Sequence, residues 1–369
     1  MRDLRSFHPI GIDIGDRYVY AAQLKPDSGG YAVRGLWRKE YDQFTQGLPN
    51  EDEGLVSVLK GIRRSRRFQG RSAAIHIPDE ALVSTPVSFQ LKPDESVEEG
   101  LFREIEDHVP FPIEDAILDY PSISERKTGD QTSYSAIVVA ARRESIHRYI
   151  TILKKAGLTV EAIDSGISSL IRLHDLANDA CVNTNILCHI GYKQSLLTIV
   201  IEDYVLAQRP FTWGFQTLLD KINANLELPA DKATFLMNKY GLGYEDVKGA
   251  EERPDKDTDG AILDLHRALY QIVTPYVDEL IYEFHTITSY VRAEPRHSSF
   301  EGIYMYGCAN MMHFLDSYLE KRINIPVGIL NPLSKMKTTA SHTPAPTDIT
   351  EGAPYGLALG LATRKVSWL

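Results

Sequence analysis

Pro9-Ile10-Gly11-Ile12-Asp13-Ile14-Gly15-Asp16-Arg17-Tyr18-Val19-Tyr20-Ala21-Ala22-Gln23-Leu24 reads as a strand, a tight glycine turn and a second strand. The phrase returns as Ile186-Leu187-Cys188-His189-Ile190-Gly191-Tyr192-Lys193-Gln194-Ser195-Leu196-Leu197-Thr198-Ile199-Val200-Ile201. Gly15 and Gly191 stand 176 positions apart (191 − 15). Each phrase puts apolar residues on both sides of a glycine turn, the pattern of a β-hairpin. Two such hairpins at that separation predict two related α/β lobes facing each other. Glycine also lets backbone N–H groups approach an anion closely, so a phosphate-binding cleft between the lobes is the expected kind of site.

Size and charge narrow the possibilities. A chain of 369 residues has length for two domains of ordinary size. With 43% hydrophobic and 24% charged residues it has the composition of a soluble globular protein. A net charge of −10 argues against a general nucleic-acid binder. One stretch runs against that charge: Lys60, Arg63, Arg64, Arg66, Arg67 and Arg71 cluster at the end of a predicted helix. They read either as a solvated helix end with cations near the C-terminal dipole or as a contact for anionic lipid or an acidic partner. Cys181, Cys188 and Cys308 are an odd number without CxxC spacing, which fits a reducing compartment and no zinc site. No segment approaches the roughly 18 apolar residues of a membrane helix, and the N-terminus lacks a signal-peptide core. The expected location is cytoplasmic.

Along the chain, Tyr31–Arg38 reads as a third strand, Leu55–Arg66 as a helix and Ser72–Pro78 as a short strand. Ser84–Leu91 reads as extended. Asp94 is the expected cap of a helix carrying Val97, Leu101 and Ile105 on one face, stopped by Pro110. Ile117–Ile123 and Ser133–Ala141 read as strands around a polar loop, Glu125–Thr132, so that residues 84–141 form a small inserted α/β subdomain. Arg143–Lys155 is an amphipathic helix closed by Gly157 in the left-handed stop position, followed by a strand (Leu158–Ile163) and a helix (Ser165–Leu176). In the second lobe, which starts at Asn185, Thr217–Leu226, Asp231–Tyr240 and about Ile262–Val291 read as helices, with a charged, mobile stretch at 245–260. Gly302–Gly307 is a strand ending in a glycine loop, followed by a helix to Leu319. Ser334–Gly352 reads as a loop and Pro354–Arg364 as a closing small-residue helix.

Gly15, Gly191 and Gly307 thus end three short apolar strands in order. This order resembles the actin-like (ribonuclease H-like) ATPase fold, with two phosphate loops and one adenosine loop. Within that fold the chain resembles the PilM family of type IV pilus assembly proteins, which is FtsA-like. Gly11-Ile12-Asp13-Ile14-Gly15 looks like its first phosphate loop. The run Glu104-Ile105-Glu106-Asp107-His108-Val109-Pro110-Phe111-Pro112-Ile113-Glu114 looks like its helix-then-PFPIE segment. Ile137-Val138-Val139-Ala140-Ala141-Arg142-Arg143-Glu144 with Ala156-Gly157-Leu158, then Ile303-Tyr304-Met305-Tyr306-Gly307 and Gly356-Leu357-Ala358-Leu359-Gly360, match later blocks. The resemblance spans nearly the whole chain. It implies first-lobe core at 1–83 and 142–184, with the inserted subdomain at 84–141. It implies second-lobe core at 185–216 and 292–369, with a helical subdomain at 217–291.

The resemblance further implies a cytoplasmic scaffold, peripheral at the inner membrane. Its groove, where first lobe and inserted subdomain join, takes the N-terminal cytoplasmic tail of a PilN-like membrane protein. Pilus motor ATPases and a platform protein are possible further partners, and oligomerisation is possible. Phe111, Pro112, Ile113 and Tyr120 are the candidate groove residues, with inward packing of Phe111 and Ile113 as the alternative. For nucleotide, the resemblance places Asp13, Gly15, Asp16, Arg17, Gly191, Tyr192, Gly307, Cys308 and Ala309 around ATP. Asp13 is the metal-facing residue if Mg-ATP binds.

The same positions show a degenerate cleft. The second loop carries His189 where the family has aspartate, and a neutral imidazole is a poor substitute for a carboxylate near Mg²⁺, a hard cation that prefers oxygen. Asp16 would repel a phosphate while Arg17 would attract one. Tyr192 is bulky beside Gly191, and Gly307-Cys308-Ala309 lacks a second glycine. Thr234 and Met237 stand where related proteins carry a glutamate and a lysine. The expectation is a scaffold whose cleft has lost hydrolysis, with an active Mg-ATP-dependent ATPase of the pilus or a related type II secretion platform as the alternative. No GxxxxGK[ST] loop, GxSxG elbow or HExxH pair is present to support another chemistry.

Overall fold

Every residue of β1 (Ile10–Ile14) is buried, as befits a central strand covered on both faces. The computed structural model describes residues 8–27, 30–40, 51–77, 82–106, 108–109, 111–120, 123–128, 131–177, 184–201, 204–243, 260–292, 299–338 and 352–364. The charged stretch at 245–260 falls almost wholly outside these residues, as do Pro110 and most of Ser334–Gly352. The chain divides into two compact units. One is Met1–Leu173 with Lys337–Thr343 and Leu357–Leu369; the other is His174–Met336 with Pro344–Gly356.

After β1 come β2 (Tyr18–Asp27), β3 (Gly30–Glu40), α1 (Glu51–Arg64), β4 (Ser72–His76) and β5 (Leu82–Phe89). Next are α2 (Val97–Ile105), β6 (Ala116–Asp119), β7 (Ile123–Thr128), β8 (Gln131–Arg142), α3 (Arg143–Ala156), β9 (Thr159–Ile163) and α4 (Gly166–Ala177). The sequence continues through β10 (Thr184–Ile190), β11 (Ser195–Ile201), β12 (Tyr204–Phe211), α5 (Phe215–Leu226), α6 (Ala230–Lys239) and α7 (Gly260–Arg292). It ends with β13 (Phe300–Gly307), α8 (Leu315–Ile323), β14 (Val327–Ile329), β15 (Lys337–Thr338) and α9 (Gly356–Ala362).

In the first unit the main sheet runs β15-β3-β2-β1-β4-β9. β1 pairs antiparallel with β2 and parallel with β4. Ile10, Ile12, Ile14 and Val19 meet Leu59 and Ile62 of α1 and Ile152 and Leu153 of α3 in its core. At Gly11 the backbone of α9 approaches so closely that a Cβ would overlap the Ala358 carbonyl oxygen and the Ala362 amide nitrogen. This is the physical need for glycine there, and it groups residues 357–369 with the first unit. β15 pairs parallel with β3, Lys337 opposite Ala32, where the sequence reads as loop. Two residues with no apolar pattern give no strand signal, and only an edge distant in sequence supplies their partner.

The inserted subdomain is a second sheet, β5-β8-β6, with β7 also on β8. The expected polar loop Glu125–Thr132 is instead the turn end of a β7–β8 hairpin, with Glu125 opposite Tyr134 and Thr128 opposite Gln131. Charged residues suit the edge strand of a small sheet, which is why alternation is missing there. Asp94 does not cap α2. It takes the left-handed conformation (φ 64°), and Ser96 is the cap. Its hydroxyl accepts from the Glu99 amide at 3.2 Å while the Glu99 carboxylate accepts from the Ser96 amide at 2.8 Å. This reciprocal box satisfies two otherwise unpaired amides. Leu101 and Ile105 then bury against Val87, Phe89, Ala136 and Val138.

The second unit repeats the frame as β12-β11-β10-β13-β14. β10 is antiparallel to β11 and parallel to β13. Ile186, Cys188 and Ile190 pack with Phe215 and Ile222 of α5, Phe284 of α7 and Leu319 of α8. Burying one such large side chain is worth about 1.5–3 kcal/mol. Full burial pushes the Cys188 thiol far above its ordinary value, so it behaves as a core residue.

Candidate functional site

Both glycine turns close alike. The Gly15 amide donates to the Tyr18 carbonyl at 3.0 Å, and the Gly191 amide to the Gln194 carbonyl at 3.0 Å. In the first unit, Asp13 is buried next to the turn, its Oδ1 3.3 Å from Nδ1 of the buried His76. Asp16 is half-buried at the tip, and Arg17 donates from Nε to Glu40 Oε1 at 2.9 Å. The cation expected to attract phosphate is therefore paired with the end of β3.

In the second unit, the turn is braced from behind. The first amides of α5 donate to it, Phe215 to the Gly191 carbonyl at 3.1 Å and Gln216 to the Tyr192 carbonyl at 2.8 Å. Tyr192 lies partly buried against the core. Gly307 ends β13 with φ 70°, a conformation that favours glycine, and a Cβ there would crowd the His189 ring. Cys308 is half-buried and Ala309 fully buried in the short 3₁₀ turn Cys308–Met311. Met237 is wholly buried and Thr234 donates back to the Ala230 carbonyl at 2.7 Å. Met237 offers no polar group, and Thr234, its proton given to Ala230, offers no charge.

These groups fit Mg-ATP poorly. The first turn offers Asp13, already bonded to His76, and Asp16, whose charge would oppose a phosphate at the tip, and the second offers an imidazole, where Mg²⁺ prefers oxygen donors. Among the described residues no group of three or more His, Cys, Asp or Glu is placed to hold a metal ion.

The inserted subdomain offers different chemistry. α2 packs on its sheet through Leu101 and Ile105. Beyond Ile105 a shallow apolar groove has the buried Val87, Ile105, Val138 and Ala140 as its floor and the half-buried Val83, Thr85 and Val109, with the exposed His108, along its rim. His108 lies 3.9 Å from Glu104, a polar handle at the rim. The residues singled out from sequence stand elsewhere. The Arg142 guanidinium sits 4.7 Å over the Phe111 ring. Pro112 is exposed and starts the 3₁₀ turn Ile113–Asp115. Ile113 and Tyr120 pack against the subdomain core. The groove residues missed in the sequence carry one signal, the alternation Val83, Thr85, Val87 on one face of β5.

The sequence model of the family described as "Type IV pilus assembly protein PilM" matches residues 11–366. The solved PilM-PilN type IV pilus biogenesis complex contains a similar chain, with 20% identity over 96% of this chain and 98% of that one and a TM-score of 0.76. Ethanolamine utilization protein EutJ from Carboxydothermus hydrogenoformans is similar at 11% identity over 96% of this chain and 89% of that one, with a TM-score of 0.53. MreB5 of Spiroplasma citri, solved bound to ADP, has 11% identity over 95% of this chain and 94% of that one, with a TM-score of 0.45. No curated protein sequence matches the chain. The fold is the actin-like α/β fold. Among the described residues, no helix is long and apolar enough to cross a membrane.

Proposed function

The chain belongs to the PilM family of type IV pilus assembly proteins, and from that premise we propose that it is a scaffold that captures the N-terminal cytoplasmic tail of a PilN-like membrane protein in the groove of the inserted subdomain. The observation that carries this reading is the shallow apolar face between β5, β8 and the end of α2, where Val83, Thr85 and Val109 are half-buried at the surface. Such a face accepts apolar side chains of an extended or helical peptide, with the rim polar groups fixing register. The similar chain in the solved complex is assembled with PilN. Tail capture holds the protein at the inner membrane through its partner, with pilus motor ATPases and a platform protein as further partners. The nucleotide site is degenerate on this reading, because Asp13 is bonded to His76 and the second turn presents His189.

The test is a thermal-shift titration with a synthetic tail peptide. At a hundred times its Kd the peptide stabilises by about 2.7 kcal/mol. Val83→Asp, at the half-buried rim, removes the shift, whereas Phe111→Ala weakens it little. No shift for the unaltered chain sinks tail capture. Loss with Phe111→Ala and retention with Val83→Asp moves the site to the PFPIE segment.

A further inference from the structure

The end of the first unit where α1 and α3 finish is a basic surface. Lys60, Arg63, Arg64, Arg66, Arg67 and Arg71 are all exposed, and the sequence holds no acidic residue between Glu53 and Asp79. The Arg63 guanidinium lies against Gly157, which ends α3. That contact brings the exposed Lys154 and Lys155 to the same end. Arg67 donates to the Leu36 carbonyl at 2.8 Å, and Arg66 holds the turn in the left-handed conformation at φ 56°.

Among the described residues none of these eight cations is in an ion pair, whereas Arg17, Arg103, Arg148, Arg172, Arg209 and Arg364 each have a carboxylate partner. Helix C-termini favour Arg63, Lys154 and Lys155 in place. Arg66, Arg67 and Arg71 lie beyond α1 and have no such reason.

We propose that this end docks directly on the anionic phospholipid headgroups of a membrane. The eight charges come from two helix ends and the loop after α1, on long stems. Such a spread suits laterally mobile headgroups better than one fixed acidic peptide, which paired, bidentate cations recognise. Charge also sets the orientation. With the whole chain at −10, the residues other than these eight carry −18 (−10 − 8), so an anionic surface repels the rest and attracts this end. The contact is additional to tail capture, which reaches the membrane only through the partner.

The full chain, without any partner, is sedimented with vesicles of phosphatidylethanolamine containing about 30% phosphatidylglycerol, and with phosphatidylcholine vesicles. It binds the anionic vesicles at about 0.05 M salt, is released by about 0.5 M, and ignores the zwitterionic ones. The combined Lys60→Gln, Arg64→Gln, Arg71→Gln variant alters exposed side chains that make no hydrogen bond or ion pair among the described residues, so it melts with the parent. Its vesicle partition falls about a hundredfold. Lys127→Gln, on the inserted subdomain, leaves partition unchanged. Equal binding to both vesicle types, salt-insensitive binding, or parental partition by the combined variant overturns the proposal. So does binding of polyglutamate without binding of anionic vesicles, which would assign the surface to an acidic protein.

Discussion

The two units use one backbone frame for unlike purposes. In each, a central strand pairs antiparallel through a glycine turn on one side and parallel on the other. The strand orders β3-β2-β1-β4-β9 and β12-β11-β10-β13-β14 correspond position by position. Yet the residues the frame presents differ. Gly11 corresponds to Leu187, and Asp13 opposite His76 corresponds to His189 opposite Tyr306. The first turn is tied by a side-chain pair, Arg17 to Glu40, and the second by backbone amides of α5. Backbone pairing thus dictates where a site stands, while the side chains at two or three register positions dictate whether it can hold a metal.

The sharpest way to break this correspondence is Gly11→Ala. The methyl group would overlap backbone atoms of α9, and we expect a loss of about 3 kcal/mol or more in a denaturant titration. Alanine at the matched position, Leu187→Ala, costs a similar amount for the opposite reason, since it leaves a void around a side chain that is 1% exposed. A small effect at 11 would show that α9 does not lock the first sheet.

Next is a pH effect belonging to the second unit. Burial holds the His174 imidazole down at about 4, with Tyr306 Oη 3.5 Å from Nδ1 and Tyr304 in edge contact. The unfolded chain takes up this proton near 6.5, so stability present above that pH is lost as the pH falls toward 4. The loss is about 3 kcal/mol. His174→Gln should show a shallower decline between pH 7 and 4. An identical decline in both proteins refutes the assignment.

A smaller test restores the expected carboxylate. His189→Asp should raise Mg-ATP affinity about tenfold, roughly 1.4 kcal/mol, measured by thermal shift. If the unaltered chain already binds Mg-ATP at micromolar levels and hydrolyses it, the cleft is not degenerate. The least effect is expected at the first turn. Arg17→Ala removes a surface ion pair and should change stability by about 0.5 kcal/mol or less.

The repeated hairpin was legible because a glycine turn between apolar strands is a local pattern. The capping residue of α2 was not: Asp94 is the sequence expectation, whereas Ser96 and Glu99 form the box, and only the turn geometry decides between them. The groove was hidden for a physical reason. It lies where α2 stops at Ile105, beside the half-buried Val83 and Thr85, and periodicity reports which face is apolar, not how far a helix extends over it. The PFPIE segment stands out only through the family resemblance, and Ile113 takes the inward packing that was its alternative, with Tyr120 also on the subdomain core. His76 as the partner of Asp13 needed the parallel register of β1 and β4, which no local pattern encodes.

The approach of α9 to Gly11 and of Lys337 to Ala32 has a consequence for synthesis. A ribosome delivers β1 to β3 early, but the pieces that complete their sheet follow 305 positions later, from Ala32 to Lys337 (337 − 32). The nascent first unit therefore waits, with its β3 edge and the surface around Gly11 uncovered, until β15 and α9 have been made. Long-range closure of this kind slows folding and prolongs exposure to chaperones.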